Sequence, residues 1–182
     1  MLKKIDKSWT LFLDRDGVIN ERKPGDYVRH WEEFNFLKGV KESLRVLNNH
    51  FGKILIISNQ RGIAKGLIKP EELVRIHSKM LNEIESAGGR IDKIYVCPDM
   101  EGENRKPNPG MGLQAIKDFP DIELKKSVMV GDSLTDMEFG RNLGVEINVL
   151  LKSTRKDVYE RLPPVDLVFD DLSAFTKELP VR

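Results

Sequence analysis

Short apolar runs that end abruptly in polar residues are the feature that most constrains the fold of this chain. The first lies in LFLDRDGVIN, residues 11–20, where three apolar side chains are followed at once by Asp14 and Asp16, with one arginine between them. A run this short is typical of a buried strand. Open α/β sheets place their ligand-binding and catalytic sites at the carboxyl ends of parallel strands. An ordinary Asp-Gly turn is the alternative interpretation of the same residues.

The rest of the chain repeats this pattern, with helical segments between the apolar runs. Apolar side chains recur at helical spacing in these segments, and Gly or Pro residues mark where they stop. The predicted strands are residues 9–14, 54–57, 91–97, 127–130 and 145–151, with an edge strand near Val168. The predicted helices run from about 37–39 to 52 and over residues 70–87, 111–119 and 134–143, with one tail helix before Pro163 and another at residues 173–179.

Strands that alternate with helices imply right-handed crossovers, a mostly parallel sheet and helices on both of its faces. The predicted fold class is therefore α/β, a Rossmann-like three-layer sandwich. Each interval between the polar clusters is already filled by a helix and a strand, so we expect residues 1–182 to form a single domain. The strand ends that carry polar residues would then meet at one edge of the sheet.

Composition and charge exclude several classes of protein. Hydrophobic residues make up 40% and charged residues 32% of the chain, as in soluble globular proteins. The formal net charge of +1 predicts no strong attraction to nucleic acid or to anionic lipid. No apolar run has the length of a signal-peptide core or a membrane span, and Cys97 is the only cysteine. We expect a cytoplasmic protein, either a monomer or a weak homo-oligomer.

The polar clusters carry the groups that phosphoryl transfer requires. Asp14 and Asp16, two residues apart, offer two carboxylates, one to attack or bind metal and one to move protons. The later clusters add a hydroxyl, two cations and two more carboxylates, namely Ser58, Arg105, Lys106, Asp132 and Asp136. Oxygen ligands suit Mg²⁺, which leaves its other positions to water and phosphate. We expect residues 21–26, a polar segment with Pro and Gly, to form a mobile flap over this site.

Phosphate monoesters hydrolyse very slowly without a catalyst, and repulsion between an anionic nucleophile and the phosphate dianion is one obstacle. Magnesium, Lys106 and backbone amides would neutralise that charge. Asp14 would then attack phosphorus and form an aspartyl phosphate, while Asp16 protonates the leaving oxygen and later deprotonates the attacking water.

The order of four motifs, DRDG, SNQ, RKP and GDSLTD, resembles that of the haloacid dehalogenase superfamily of phosphatases, over residues 11–150. The longer strings DRDGVIN with Tyr27 and Val28, SNQRGIAKG, RKPNPGM and VGDSLTDM are similar to those of its heptose bisphosphate and histidinol phosphatase group. Members of that group lack a large cap domain, which agrees with the missing insert here. The resemblance therefore implies a capless phosphatase.

The resemblance also implies roles for individual residues. Asp14 would be the nucleophile and Asp16 the acid/base. Both would share a magnesium ion with Asp132, and Asp16 would do so through its backbone carbonyl. Ser58 and Lys106 would bind the phosphate, although a turn or capping serine and a solvated lysine are the alternative interpretations.

Three more roles follow from the same motifs. Asn59 and Arg105 would contact the substrate. Asp136 would support the metal ligands without binding the metal, although a carboxylate in the first turn of a helix also complements the helix dipole.

The loop after the third strand departs from the family pattern. Many relatives have Cys-Pro-His and then Cys-x-Cys directly before Arg-Lys-Pro, which together bind zinc. Here the matching residues are Cys97, Pro98 and Asp99, and then Asn104 before Arg105. One cysteine without a nearby histidine cannot form a closed zinc site. We predict no structural zinc and a shorter loop.

The resemblance implies removal of the 7-phosphate from D-glycero-D-manno-heptose 1,7-bisphosphate, a small phosphorylated substrate, with Mg²⁺ as cofactor. Histidinol phosphate and a nucleic acid 3'-phosphate are alternative substrates for the same chemistry, and the near-neutral charge counts against nucleic acid. The alternative of another class is a catalytically silent binding domain, but every catalytic position holds a competent residue.

Overall fold

The computed structural model describes residues 1–152 and 165–181. These residues form one six-stranded sheet in which every neighbouring pair is parallel. The strands are β1 (Thr10–Leu13), β2 (Lys53–Asn59), β3 (Lys93–Cys97), β4 (Ser127–Gly131), β5 (Ile147–Leu151) and β6 (Leu167–Phe169). Their order across the sheet is β3-β2-β1-β4-β5-β6.

Helices cover both faces of this sheet. They are α1 (Val40–His50), α2 (Pro70–Ser86), α3 (Gly110–Asp118), α4 (Leu134–Leu143) and α5 (Leu172–Lys177), with short 3-10 turns at Leu2–Lys4, Trp31–Glu33 and Leu124–Lys126. Alternate residues of β1 face opposite sides. Leu11 and Leu13 pack in the cluster that contains apolar residues of α1, α2 and α5, whereas Phe12 packs in the cluster of α3 and α4. The predicted three-layer α/β sandwich is confirmed.

The strand limits differ from the prediction in several strands. β1 lacks Trp9 and Asp14, and β2 also includes Lys53, Ser58 and Asn59, which pair in the sheet.

β3 and β5 begin two residues later than predicted. Ile91 is buried but precedes β3, and the next residue, Asp92, exchanges backbone and side-chain hydrogen bonds with Ile54 instead. Val145 is also buried, but its amide donates to the carbonyl of Gly140, so it belongs to the turn that ends α4. The apolar character of Ile91 and Val145 therefore led to predicted strands that each began two residues too early.

The tail agrees with the prediction where the structure describes it. The strand predicted near Val168 is β6, and the final helix, predicted at residues 173–179, is α5. The helix predicted before Pro163 lies outside the described residues. Within those residues, no helix has the length and apolar character that crossing a membrane requires.

The sheet order places three strand ends side by side. Leu13, the last residue of β1, lies opposite Ile56 of β2 on one side and Val130 of β4 on the other. The helices that follow β1 and β2 cover one face, whereas those that follow β3 and β4 cover the other. The carboxyl end of β1 is therefore the point where the winding changes direction, and such a point forms a crevice.

Candidate active site

The DRDG loop follows β1 and turns back sharply on itself. The carbonyl of Arg15 accepts hydrogen bonds from the amides of Ile19 and Asn20, at 2.8 and 3.2 Å. Gly17 has a φ of 93°, a conformation that favours glycine. The turn leaves Asp14 buried at the end of the central strand.

Lys106 is a buried cation at the centre of the cluster, with only 3% of its surface exposed. Its Nζ donates to Asp14 Oδ1 at 2.8 Å, to Asp136 Oδ1 at 2.6 Å and to the carbonyl of Ile57 at 2.8 Å. Burial alone would lower the pKa of Lys106, but the carboxylates of Asp136 and Asp14 raise it. The ammonium therefore stays charged and uses all three of its donors.

Asp14 lies among other acids as well as beside this cation. Burial, together with the nearby carboxylates of Asp136 and Asp132, raises the pKa of Asp14 to about 7, although Lys106 and Arg22 oppose the rise. These carboxylates repel one another, and a cation bound between them would relieve that repulsion.

Asp132 and Asp136 come from the end of β4 and the first turn of α4. Ser133 and Asp136 form a capping box, in which Asp136 Oδ2 accepts from the amides of Ser133 and Asp132, at 3.1 and 3.2 Å. The other oxygen of Asp136 accepts from Lys106. Asp136 thus caps α4 and fixes the central cation. Its support of the metal ligands stays a prediction.

Asp16 is held by three donors. Its Oδ1 accepts from Arg15 at 2.8 Å and from Asn20 at 2.9 Å, and its Oδ2 accepts from Gln60 at 2.7 Å. Burial would raise the pKa of Asp16, but the Arg15 guanidinium and these hydrogen bonds lower it to about 2. The side chain of Asp16 is therefore oriented from two strand ends at once.

Arg22, in the segment predicted as a flap, reaches into the site. Its guanidinium donates to Asp132 at 2.6 and 3.2 Å and to the carbonyl of Asp16 at 2.9 Å, and it lies 3.8 Å from Asp14 Oδ2. Arg22 thus brings its segment against the site, and the mobility of residues 21–26 stays a prediction. The segment also lines a cavity of about 490 Å³ together with Glu33 and Asn35.

The oxygen atoms around Arg22 form a donor set that suits a hard divalent cation. Three buried residues each offer a carboxylate oxygen that lies within 4.8 Å of the other two, namely Asp14, Asp132 and Asp136. The carbonyl of Asp16 shares the Arg22 guanidinium with Asp14 and Asp132. Two carboxylates and a carbonyl, with no nitrogen or sulfur ligand, fit Mg²⁺. The metal ligands predicted from the sequence are thus brought together, Asp16 by its backbone and not its side chain.

The remaining predicted residues lie around Lys106. Ser58 is fully buried, and its Oγ accepts from Gln60 Nε2 at 2.8 Å. Asn59 forms a reciprocal pair with the backbone of Lys106, and both of its hydrogen bonds measure 3.0 Å. Arg105 is half-buried and donates to the carbonyl of Asp99 at 3.1 Å. Both Asn59 and Arg105 therefore bond the loop that carries Lys106.

The sequence motifs indicated no role for Arg15, Arg22, Gln60 or His77. Gln60 could have been found, because it ends the SNQ motif directly after β2. Arg22 and His77 carry no such signal. One lies in an irregular loop and the other on a helix, and only the tertiary structure brings them near the DRDG loop.

Comparison with known proteins agrees with this geometry. Residues 10–160 match the family model described as polynucleotide kinase 3 phosphatase. The chain therefore belongs to that family, within the haloacid dehalogenase-type phosphatases, and it is a phosphatase.

Relatives within this class share most of the chain. It is 40% identical to a D-glycero-alpha-D-manno-heptose-1,7-bisphosphate 7-phosphatase of Campylobacter jejuni, over 83% of this chain and 87% of the relative. It is also 40% identical to the protein of the same name from Mycobacterium tuberculosis, over 74% and 73%. Among solved structures, D,D-heptose 1,7-bisphosphate phosphatase from B. bronchiseptica, complexed with magnesium and phosphate, matches with a TM-score of 0.85 and 30% identity, over 93% of this chain and 97% of that one.

Proposed function

We propose that this chain is a cytoplasmic, single-domain, magnesium-dependent phosphatase that removes the 7-phosphate of D-glycero-D-manno-heptose 1,7-bisphosphate. The observation that carries the proposal is the buried group of Asp14, Asp132 and Lys106 at the carboxyl end of the central strand. It combines a nucleophilic carboxylate, a metal ligand and a phosphate-binding cation. The substrate is taken from the names of relatives that are 40% identical.

In this mechanism Asp14 attacks phosphorus. A bond forms between its carboxylate oxygen and phosphorus as the bond to the leaving oxygen breaks, which gives an aspartyl phosphate. Lys106 already contacts Asp14 Oδ1 at 2.8 Å, so its charge lies where the phosphoryl oxygens arrive. Asp136 keeps that ammonium in place through its 2.6 Å ion pair.

Asp16 moves the proton in both half-reactions. It gives a proton to the leaving oxygen and then takes one from the water that hydrolyses the aspartyl phosphate, so the cycle returns it to its first state. A pKa of about 2 disfavours the protonated form in the free protein. A phosphate dianion that binds beside Asp16 opposes its ionisation and raises that pKa, so substrate binding prepares it for the first step.

Asp14, Asp132 and the carbonyl of Asp16 would hold the metal. Bound Mg²⁺ would supply positive charge against the nucleophile and the phosphoryl oxygens. The absence of structural zinc stays a prediction, and it rests on the loop after β3, where Cys97 is a buried free thiol and no histidine follows.

Ser58 would bind the phosphate from the end of β2. Asn59 would contact the substrate, and its amide, which bonds both the amide and the carbonyl of Lys106, would also fix that loop. Arg105, which is half-buried on the same loop, would contact the sugar.

A nucleic acid 3'-phosphate is the second candidate substrate, favoured by the description of the matching family. The net charge of +1 counts against it, because proteins that bind a polyphosphate backbone derive most of their affinity from basic residues. Histidinol phosphate is a third candidate with the same chemistry.

A substrate panel with Mg²⁺ tests the proposal. We expect the highest kcat/KM for heptose 1,7-bisphosphate, assayed as both anomers, and much lower values for histidinol phosphate and for a 3'-phosphorylated oligonucleotide. A higher kcat/KM for either of the latter would replace the proposed substrate, and no phosphate release from any ester would overturn the proposed activity.

A further inference from the structure

Arg15, between the two aspartates of the DRDG loop, is a buried guanidinium that is only 1% exposed. Its Nη2 donates to Asp16 Oδ1 at 2.8 Å, and its Nη1 lies 3.1 Å from Nε2 of His77 on α2. The guanidinium carbon lies 6.0 Å from the centre of the Phe34 ring. Arg15 thus has one polar partner on the loop, one on a helix, and an aromatic ring on a further side.

The chemistry of the contact defines the state of His77. A guanidinium has only donors, so Nε2 of His77 must be the acceptor, and the ring is then neutral with its proton on Nδ1. Burial and the charge of Arg15 lower the pKa of His77 to about 3, in agreement with a neutral ring. His77 therefore acts as a fixed hydrogen-bond acceptor throughout the pH range in which the enzyme would work.

The orientation of Asp16 depends on this contact. Arg15 and Asn20 hold one of its oxygens, and Gln60 holds the other. The Arg15 guanidinium is oriented in turn by His77, because its Nε has no hydrogen-bond partner among the described residues. Without an acceptor on α2, Nη1 would be a buried donor without a partner, and the guanidinium would shift to find one.

We propose that His77 is a positioning residue for the acid/base Asp16: by accepting from Arg15, it holds the Asp16 carboxyl where that group transfers its proton to the leaving oxygen. This inference rests on the proposed function. Among the described residues, the hydrogen bond that joins His77 to the DRDG loop is the one with Arg15, and Arg15 in turn bonds Asp16.

The role predicts a dependence on the leaving group. A sugar alkoxide is a poor leaving group and needs the proton from Asp16, whereas p-nitrophenolate leaves readily without it. A misplaced Asp16 therefore lowers kcat/KM, which reports formation of the aspartyl phosphate, much more for a sugar phosphate than for p-nitrophenyl phosphate. A general loss of structure would slow both to the same degree.

The test compares three variants with the wild-type protein, with saturating Mg²⁺ and both substrates. His77→Leu removes the acceptor, and His77→Gln restores one through its Oε1. Arg75→Leu is the matched control, since this exposed arginine lies on the same helix and pairs only with Glu72 among the described residues. Heptose bisphosphate and p-nitrophenyl phosphate differ in the leaving group while sharing the phosphoryl chemistry.

We expect His77→Leu to lower kcat/KM for heptose bisphosphate by roughly tenfold, a fraction of the full effect of general acid catalysis. Its kcat/KM for p-nitrophenyl phosphate should fall by less than about twofold, because formation of the aspartyl phosphate from this ester does not depend on the acid. His77→Gln should regain most of the lost rate, and Arg75→Leu should match the wild type on both substrates.

Equal losses on both substrates, or no recovery in His77→Gln, would overturn the inference while leaving the phosphatase intact. A wild-type protein that hydrolyses neither ester would instead refute the proposed function. Nitrogen-15 NMR of the imidazole rings in the wild-type protein gives an independent test, which holds even if His77→Leu does not fold. We expect His77 to be neutral with the proton on Nδ1 at about pH 6, and a charged ring or a proton on Nε2 would contradict the assignment.

Discussion

At the scale of single residues, the site is a balance of buried charges. Lys106 is shared between Asp14 and Asp136, and Arg22 is shared between Asp132 and Asp14. Each cation bridges two acids, so no carboxylate of the cluster can be changed without altering the charge that its neighbours experience.

Replacing the proposed nucleophile separates chemistry from folding. Asp14→Asn should abolish phosphate release, because an amide does not attack phosphorus. The fold should persist, since Lys106 keeps its bonds to Asp136 and to the carbonyl of Ile57. Phosphate release and thermal unfolding measure the two effects, and residual turnover near the wild-type rate would rule out Asp14 as the nucleophile.

Arg22 and a metal ion would compete for the same oxygens. Arg22→Ala should therefore tighten Mg²⁺ binding by roughly tenfold, which corresponds to about 1.4 kcal/mol. Lys23→Ala is the control, because Lys23 is exposed to a similar extent and pairs with Glu33. Isothermal titration of the metal-free proteins measures both affinities, and weaker binding in Arg22→Ala would show that Arg22 supports the metal site.

The raised pKa of Asp14 predicts that metal binding depends on pH. Asp14 is largely protonated below its pKa of about 7, and it must lose that proton to bind a cation, so binding tightens as pH rises through that value. Affinity for Mg²⁺ should increase by about tenfold from about pH 6 to about pH 8 and change little above that. Titrations in matched buffers check this, and an affinity independent of pH would contradict the shift.

The residues at strand ends were the ones that the sequence could predict. Asp14, Ser58 and Asp132 follow or end apolar strands, so the parallel topology alone brings them to one edge. Arg22 and His77 could not be predicted in the same way. A long side chain can reach many places from a loop or a helix face, and only the packed structure selects one.

At the scale of elements, two hydrogen bonds join the end of β2 to the loop that carries Lys106. The side chain of Asn59 bonds the amide and the carbonyl of Lys106, which imitates a strand pairing where β3 has already ended. The helices and strands themselves were predictable, because apolar periodicity follows burial. The ends at Ile91 and Val145 were not, since a buried apolar residue next to a strand need not share the hydrogen bonds of the sheet.

Loss of the Asn59 bridge should loosen the loop. Asn59→Ala removes two hydrogen bonds, which should lower the free energy of unfolding by about 1–3 kcal/mol. It should also raise KM more than it lowers kcat, because Lys106 would be less well positioned for the bound phosphate. Asn108→Ala is the control, since Asn108 bonds Gly102 within the same loop. Urea unfolding and steady-state kinetics test the pair, and equal behaviour of the two variants would contradict the role of Asn59.

At the scale of the whole molecule, the parallel sheet collects residues that are remote in the chain. Asp14 and Lys106 are 92 positions apart, and Arg22 and Asp132 are 110 apart, yet each pair forms a buried or half-buried ion pair. The α/β fold and the edge that carries the site follow from the alternation of strands and helices. The substrate does not, because the loops that would select it show no periodicity in the sequence.

Phosphorus-31 NMR of the reaction shows which phosphate of heptose 1,7-bisphosphate this site removes. With Mg²⁺ present, the resonance of the 7-phosphate should disappear as inorganic phosphate grows, while the resonance of the 1-phosphate persists. Loss of the 1-phosphate first would rule out the proposed reaction. So would a bisphosphate that stays intact while the protein hydrolyses histidinol phosphate or a 3'-phosphorylated oligonucleotide.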